Sequence, residues 1–224
     1  LKKEFPEVKV MHSDVNYGVS KSYNLGVEQA RGRYVATLAN DLILDKDWVK
    51  EMVNALKSDS KAASAGCYIN NKTGGYYKGE QCYGFYLDLL GNPLTLHQPT
   101  PGYVFSSAGV MYKKDIIEKA YDDEYAFSGD EIYIGWKVLL MGYKTVQVNK
   151  AKLFHVGRAS RRATDFVEFH GEKDKYLNLL IFYSTTTLLK LMPLIFAHIA
   201  ITLVTSVFRL KLHHRLKAYF WMLM

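Results

Sequence analysis

Short apolar runs alternate with helix-period segments along residues 8–156, and that alternation restricts the chain to few folds. A strand of β-branched and apolar residues, then an amphipathic helix, then another strand, is the pattern of crossover connections over a buried sheet. Val8–Met11, after Pro6, reads as a strand. Val19 to Ala30 reads as a helix, because Val19, Tyr23, Val27 and Ala30 recur at its period and Gly32 follows as a stop. Tyr34 to Leu38 is a buried strand. Asp45 is the expected N-cap of a helix over Asp47–Lys57, with Trp48, Met52, Val53 and Leu56 as its apolar stripe. Ala62–Ile69 and Val104–Tyr112 read as strands, and Asp115–Ala120 as a short helix. Asp130–Met141 reads as a longer helix that stops at Gly142. Thr145–Val148 and Lys152–Val156 read as two short strands. The expected class is α/β, a mostly parallel sheet flanked by helices.

Hydrophobic residues make up 49% of the 224 and charged residues 23%, which supports a packed core and argues against disorder. The formal charge of +7 suits nucleic acid, an anionic membrane face or phosphate-bearing substrates. The basic residues gather around 158–162 and 209–217 and are not interleaved along one groove, which argues against nucleic acid as partner. Two cysteines, Cys67 and Cys82, make neither a disulfide framework nor a metal knuckle and read as thiols of a reducing compartment. The sequence opens at Leu1 without an initiator Met or a signal peptide, and it reads as entering its fold partway; the end at Met224, inside an apolar run, reads as cut.

Residues 70–101 lose all periodicity and are rich in Gly, Asn, Pro and aromatics, including Tyr76, Tyr77, Tyr83, Phe85 and Tyr86. A segment of that length is either functional or mobile. After about residue 165 the chain turns helical and apolar. Residues 191–208, "LMPLIFAHIAITLVTSVF", carry no formal charge. A membrane span needs about 20 such residues. His198, Thr202, Thr205, Ser206 and Arg209, however, fall on one helical face, which suits a helix lying in an interface or packed on protein. Arg209, Lys211, Arg215 and Lys217 follow, as basic residues beside an anionic cytoplasmic leaflet would. Interfacial, spanning and packed readings all stand at this point.

Three places carry candidate chemistry. Asp41 follows the Tyr34–Leu38 strand and Asn40, at the carboxyl end where open α/β sheets bind ligands. A lone turn acid is an ordinary feature, yet Mg²⁺ or Mn²⁺ is often held by only one or two carboxylates while substrate phosphates supply the rest. Asp130 and Glu131 open a helix, where the dipole favours acids and where a general base could also stand. His155 ends an apolar strand and could add imidazole to an Mn²⁺ site. Arg158, Arg161 and Arg162 follow it, as a solvated loop or a phosphate clamp.

Taken in order, these blocks resemble a known family. Asn16-x-Gly18, Asn24-x-Gly26, Ala30-x-Gly32-x-Tyr34-Val35 and Leu38-Ala39-Asn40-Asp41 are similar to the inverting family 2 glycosyltransferases of GT-A (Rossmann-like) fold, in the rhamnosyltransferase-like branch. The acid pair with Trp136 and Gly142-Tyr143, and then "FHVGRAS", continue the resemblance to residue 162. The resemblance implies a GT-A catalytic domain over residues 1–164 and a C-terminal, membrane-associating helical region over 165–224. It implies transfer, with inversion, from a nucleoside-diphosphate sugar to a glycan or lipid-linked acceptor in polysaccharide or cell-envelope glycan synthesis. The place of action would be the cytoplasm, peripheral on the inner face of the membrane.

By the same resemblance Asp41 is the last acid of a DxD-type metal motif and His155 its companion on Mg²⁺ or Mn²⁺. Glu131 is the general base and Asp130 its neighbour. Asn16, Gly18, Asn24, Asn40, Trp136 and Arg158 bind substrate, with Gly26 letting backbone approach it. The aromatic 70–101 segment would shape the acceptor side. The chain departs from the family pattern in four places. Asp130-Glu131 stands where Glu-Asp is usual, Tyr133 replaces a third acid, Lys137 replaces Arg, and Ala39 leaves Asp41 alone in its motif. The family's first strand is expected before Leu1. These departures keep Asp130 open as an alternative base. They also keep open a catalytically silent, membrane-associated binding protein; a nucleotidyltransferase, which can share a similar sheet, is the weaker rival.

Overall fold

The computed structural model describes residues 3–71, 81–98, 108–117, 121–126, 129–156, 164–208 and 212–223. Its helices are α1 (Gly18–Gln29), α2 (Trp48–Ser58), α3 (Asp130–Leu140), α4 (Thr164–Phe182), α5 (Thr185–Phe208) and α6 (Leu212–Leu223). Its strands are β1 (Tyr34–Thr37), β2 (Leu42–Leu44), β3 (Ala62–Asn71), β4 (Gln81–Cys82), β5 (Phe85–Leu87), β6 (Pro93–Thr95), β7 (Val110–Lys113) and β8 (Lys144–His155).

The main sheet runs β1-β7-β3-β8-β2, with β4 added to β3, while β5 and β6 form a separate hairpin. β3 and β8, the long central pair, run parallel from Ala62↔Lys144 to Asn71↔His155. The pairs β1–β7, β2–β8, β3–β7 and β3–β4 are antiparallel. The α/β class holds, with a mixed sheet. The two short strands expected at 145–148 and 152–156 are one strand, β8, whose register against β3 shifts between Val148 and Lys152. Polar Asn149 and Lys150 interrupt the apolar pattern there, so a bulge reads in sequence as a break.

Three local expectations are corrected. Val8–Met11 forms no strand, and Val8, Val10 and Met11 are 47%, 39% and 50% exposed. A lone extended run gains nothing without a neighbour to pair with, and no described strand pairs with it. Residues 114–116 form a turn where a helix was expected; 118–120 lie outside the described residues. Asp47, not Asp45, is the N-cap of α2. Asp45 shapes the turn before it: its carboxylate accepts the Asp47 N–H at 3.1 Å and its carbonyl accepts that of Trp48 at 3.0 Å.

The sheet is covered on both faces. On one, α2 buries Trp48, Met52 and Leu56 against Ala65, Cys67, Ile69, Met111 and Leu153. On the other, Val27 of α1 and Ile134 and Val138 of α3 meet Val35, Ala63, Val110, Tyr112 and Tyr121. Period-2 alternation supplies both faces from the same strands. Cys67 and Cys82 are buried and form no disulfide, and burial pushes the Cys67 thiol up to about 12. The described part of the aromatic segment is the β5–β6 hairpin. Its tip is built on Asp88, whose carboxylate accepts the Leu90 and Asn92 N–H groups at 2.8 and 2.9 Å. Gly91 of that tip (φ +74°) faces Leu179 of α4. Tyr76 and Tyr77 lie outside the described residues.

α6 is tied to α4 by Arg215, which pairs with Glu168 and Glu172, and by the Tyr219 hydroxyl, which donates to Glu172 at 2.7 Å. α5 turns part of its polar face inward: His198 Nδ1 lies 3.0 Å from the Tyr176 hydroxyl and Ser206 is 4% exposed, while Thr205 is exposed. Its other face leaves Leu189, Phe196, Ile201, Val204 and Phe208 open. α5 is long and apolar enough to cross a membrane.

The contact that joins the first helix to the later half of the chain is polar. Asn24, 6% exposed, donates from Nδ2 to the Tyr121 carbonyl at 2.9 Å and to the Asp123 carboxylate at 2.8 Å; its Oδ1 accepts the Tyr121 N–H at 3.0 Å. Replacing Asn24 by Ala strands a buried donor and a buried acceptor, each worth about 1–3 kcal/mol. Asn24→Ala is therefore expected to lower unfolding free energy by about 2–4 kcal/mol in urea titration; a loss below about 0.5 kcal/mol would contradict the clamp.

Candidate active site

The turn at Asn40 and Asp41 ends the β1 side of the sheet and leads into β2. Antiparallel pairing of β2 with β8 sets Leu42 opposite His155. The Asp41 carbonyl then accepts the Val156 N–H at 2.9 Å, and Asp41 Oδ2 comes within 3.4 Å of His155 Nε2. The side chains are 16% and 32% exposed, so the pair is open on one side. The lone acid of the motif thus has an imidazole partner, supplied from 114 positions further along the chain. A carboxylate oxygen and a ring nitrogen on one side of a hard divalent cation suit Mg²⁺ or Mn²⁺, with the remaining positions left for phosphate and water. Among the described residues no set of three His, Cys, Asp or Glu converges as a complete protein cage. Asn40 is exposed beside the pair.

The acid pair opens α3 behind Gly129, which holds φ +80° as the N-cap. Asp130 is 4% exposed, while Glu131 is half-buried. Burial, then the neighbouring Glu131 carboxylate and a hydrogen bond between the two, hold Asp130 far above the ordinary carboxylate range. Tyr121 connects this pair with the end of β1. Its buried hydroxyl lies 2.7 Å from Thr37 Oγ1, and burial, with Tyr112, Asp130 and Glu131 adding to it, pushes its ionisation well up.

The Asn and Gly residues at the start of α1 make defined contacts within the protein. Asn16 Oδ1 accepts the Gly18 N–H at 3.0 Å, an Asx turn that starts the helix. Gly18 has φ +77°, and a Cβ there would sit 2.8 Å from the Ala126 backbone. Val19 and Ser20 N–H groups donate to the carbonyls of Ala126 and Tyr125 at 3.0 and 3.3 Å. With the Asn24 clamp, these residues hold the segment 121–126 that delivers Asp130 and Glu131. A Cβ added at Gly26 would meet nothing within 4 Å.

Trp136 stacks on Phe182 (5.9 Å) and meets Tyr183 edge-on (5.9 Å), so it packs α3 against the end of α4. Tyr133, in the place of the family's third acid, packs on Tyr125 and Phe182 at 5.4 and 5.3 Å. Arg158, with Gly157, Ser160, Arg161 and Arg162, lies outside the described residues. Sequence reasoning missed Thr37 and Tyr121. The inward alternation of β1 points Thr37 to the core, which is the one signal that could have found it.

The mixed sheet with helices on both faces is the GT-A arrangement. The sequence agrees: the model of glycosyl transferase family 2 matches residues 1–120, and the chain belongs to that family. A search of curated proteins finds no match. The mannosyltransferase PcManGT from Pyrobaculum calidifontis, solved with GDP-Man and Mn²⁺, is similar in structure with TM-score 0.52 and 11% identity, over 96% of this chain and 58% of that one. S. aureus TarS 1-349 is also matched, with TM-score 0.45 and 15% identity over 81% of this chain and 52% of that one. The chain thus spans little more than half the length of these solved relatives.

Proposed function

We propose that the protein transfers a sugar from a nucleoside-diphosphate donor to an acceptor hydroxyl, with inversion at the anomeric carbon. The observation that carries this reading is the presence of two different acid sites: a partly open carboxylate–imidazole pair, Asp41 and His155, and an acid pair at the start of α3, buried Asp130 beside half-buried Glu131. A reaction that expels a diphosphate and deprotonates a hydroxyl needs one site of each kind.

Asp41 and His155 would hold Mg²⁺ or Mn²⁺, which when bound neutralises charge on the departing diphosphate. Glu131 takes the acceptor proton as that oxygen attacks the anomeric carbon from the face opposite the leaving group. Asp130, kept neutral by burial, donates to Glu131 and fixes its rotamer. That division of labour gives the reversed acid order a role: the longer side chain reaches outward and the shorter stays in the core. Asn16, Gly18 and Asn24 contribute by holding the acid-bearing segment, and Trp136 by holding α3 on α4. Asn40 and Arg158 remain the candidates for direct donor contact. The donor of PcManGT is GDP-Man; a GDP- or UDP-linked hexose or rhamnose is the class to screen here, with a glycan or lipid-linked acceptor of cell-envelope polysaccharide synthesis.

The organisation that goes with this reading is a catalytic region over 1–164 and a helical region over 165–224 that lies on the cytoplasmic face of a membrane. Support comes from α5, part of whose polar face is used by protein and whose apolar face is open. A helix with that division lies in the interface more readily than it spans.

Nucleoside-diphosphate release in the presence of Mn²⁺, measured over a donor panel, is expected to fall about 100-fold or more in Glu131→Gln and in Asp41→Asn. Rates within twofold of wild type in both would refute the assignment. Pelleting with anionic vesicles is expected to drop several-fold in Phe196→Ser/Ile201→Ser, two exposed positions whose replacement leaves the core intact; unchanged pelleting would refute the interfacial reading.

A further inference from the structure

We propose that α4 forms the rear wall of the active site, and that its Asp174 and Asn178 are positioning residues that fix the acid pair and decide which of its members carries the proton. The proposal rests on the reading of Glu131 as base and adds to it a part of the chain beyond the 1–164 region.

Asp174 and Asn178 stand one helical turn apart and share a face. They are 0% and 3% exposed, on a helix whose middle also buries Glu172, Lys173, Tyr176 and Leu179. A polar pair so deeply buried needs a reason, and the reason lies across from it. A Cβ on Gly129 would fall 3.1 Å from Asn178 Nδ2, 3.2 Å from Asp174 Cβ and 3.2 Å from Tyr125 Cε1. The N-cap of α3 therefore meets α4 and the 121–126 segment through bare backbone. The Tyr125 hydroxyl donates to Asn178 Oδ1 at 3.0 Å, which ties the same three elements side chain to side chain. The residue after Gly129 is Asp130.

Charge follows the same geometry. The charges that bear on Asp130 are those of Glu131 on its own helix and of Asp174 on α4, and its own charge in turn opposes ionisation of the Tyr121 and Tyr125 hydroxyls. Behind Asp174, Lys173 Nζ lies 3.2 Å from its Oδ1, donates to the Glu124 carbonyl and sits 4.6 Å over the Trp221 ring of α6. A carboxylate on the far side of Asp130 disfavours a second negative charge there. Asp130 then keeps its proton and hands a hydrogen bond to Glu131, which is half-buried. α4 thus sets the protonation state of the pair, and α6 reaches that control point through Lys173.

Carbon-13 NMR of protein labelled at Asp Cγ reads this directly, with the Asp130 signal assigned by its loss in Asp130→Asn. In the wild type Asp130 is expected to titrate well above the ordinary value of 3.8. Asp174→Asn, which keeps shape and removes charge, should lower the midpoint by about one pH unit, a tenfold change in proton affinity. Asn178→Asp, which adds charge on the same face, should raise it. A wild-type midpoint near 3.8, or a midpoint that stays put in either folded variant, overturns the proposal; if Asp174→Asn does not fold, the wild type and Asn178→Asp decide it. The readout needs no substrate. Normal coupling in a protein that releases no nucleoside diphosphate from any donor would therefore count against the base assignment, not against the role of α4.

Discussion

Asn24 joins parts of the chain 97 residues apart through a saturated set of hydrogen bonds, and the rest of the site depends on it. A buried amide is tolerated only when its donors and acceptors are met, and Tyr121 and Asp123 meet them from a segment with no regular structure of its own. Gly18 adds a second point of contact where a side chain could not fit. Held at both points, residues 121–126 have little freedom left, and α3 begins four positions further on, at Asp130. The acid pair is therefore placed by α1, from the opposite end of the sequence, as much as by its own helix.

The two acid sites gain opposite properties from their surroundings. Asp41 and His155 are brought together by an antiparallel pairing at the end of the sheet and stay partly open, which suits exchange of a cation and phosphate oxygens with solvent. Asp130 is enclosed by aromatic hydroxyls and a second helix, where ionisation is costly. One fold thus keeps one carboxylate partly open at the rim and another enclosed in the interior, with half-buried Glu131 next to the enclosed one. The Thr37–Tyr121 contact is the physical link between the strand that ends near Asp41 and the segment that ends near Asp130.

Much of this was legible from residue order. The periods of α1, α2 and α3 were clear because their apolar stripes are regular, and β1 and β3 were clear because they are short, branched and bounded. What escaped had a physical cause in each case. β8 was split because its bulge carries Asn149 and Lys150. Val8–Met11 looked like a strand because composition cannot reveal whether a partner exists. Asp41, His155, Asp130 and Glu131 were singled out by position and type, but their pairing needed the β2–β8 register, which no local pattern encodes. The contacts of Asn24 and Gly18 with residues 121–126 were not legible, because a buried Asn looks the same in sequence whichever partner satisfies it. Asp174 and Asn178 left no trace: a polar residue in a charged helix reads as solvated until the helix is seen against α3.

The whole account requires the two acid sites to share one rim of the sheet. Paramagnetic broadening by Mn²⁺ added with GDP to isotope-labelled protein measures this. The account predicts that the His155 and Asp41 signals vanish first and that those of Glu131 and Asp130 broaden next, while α6 stays sharp. Loss of the Asp41 and His155 signals with Asp130 and Glu131 no more affected than α6 would contradict it.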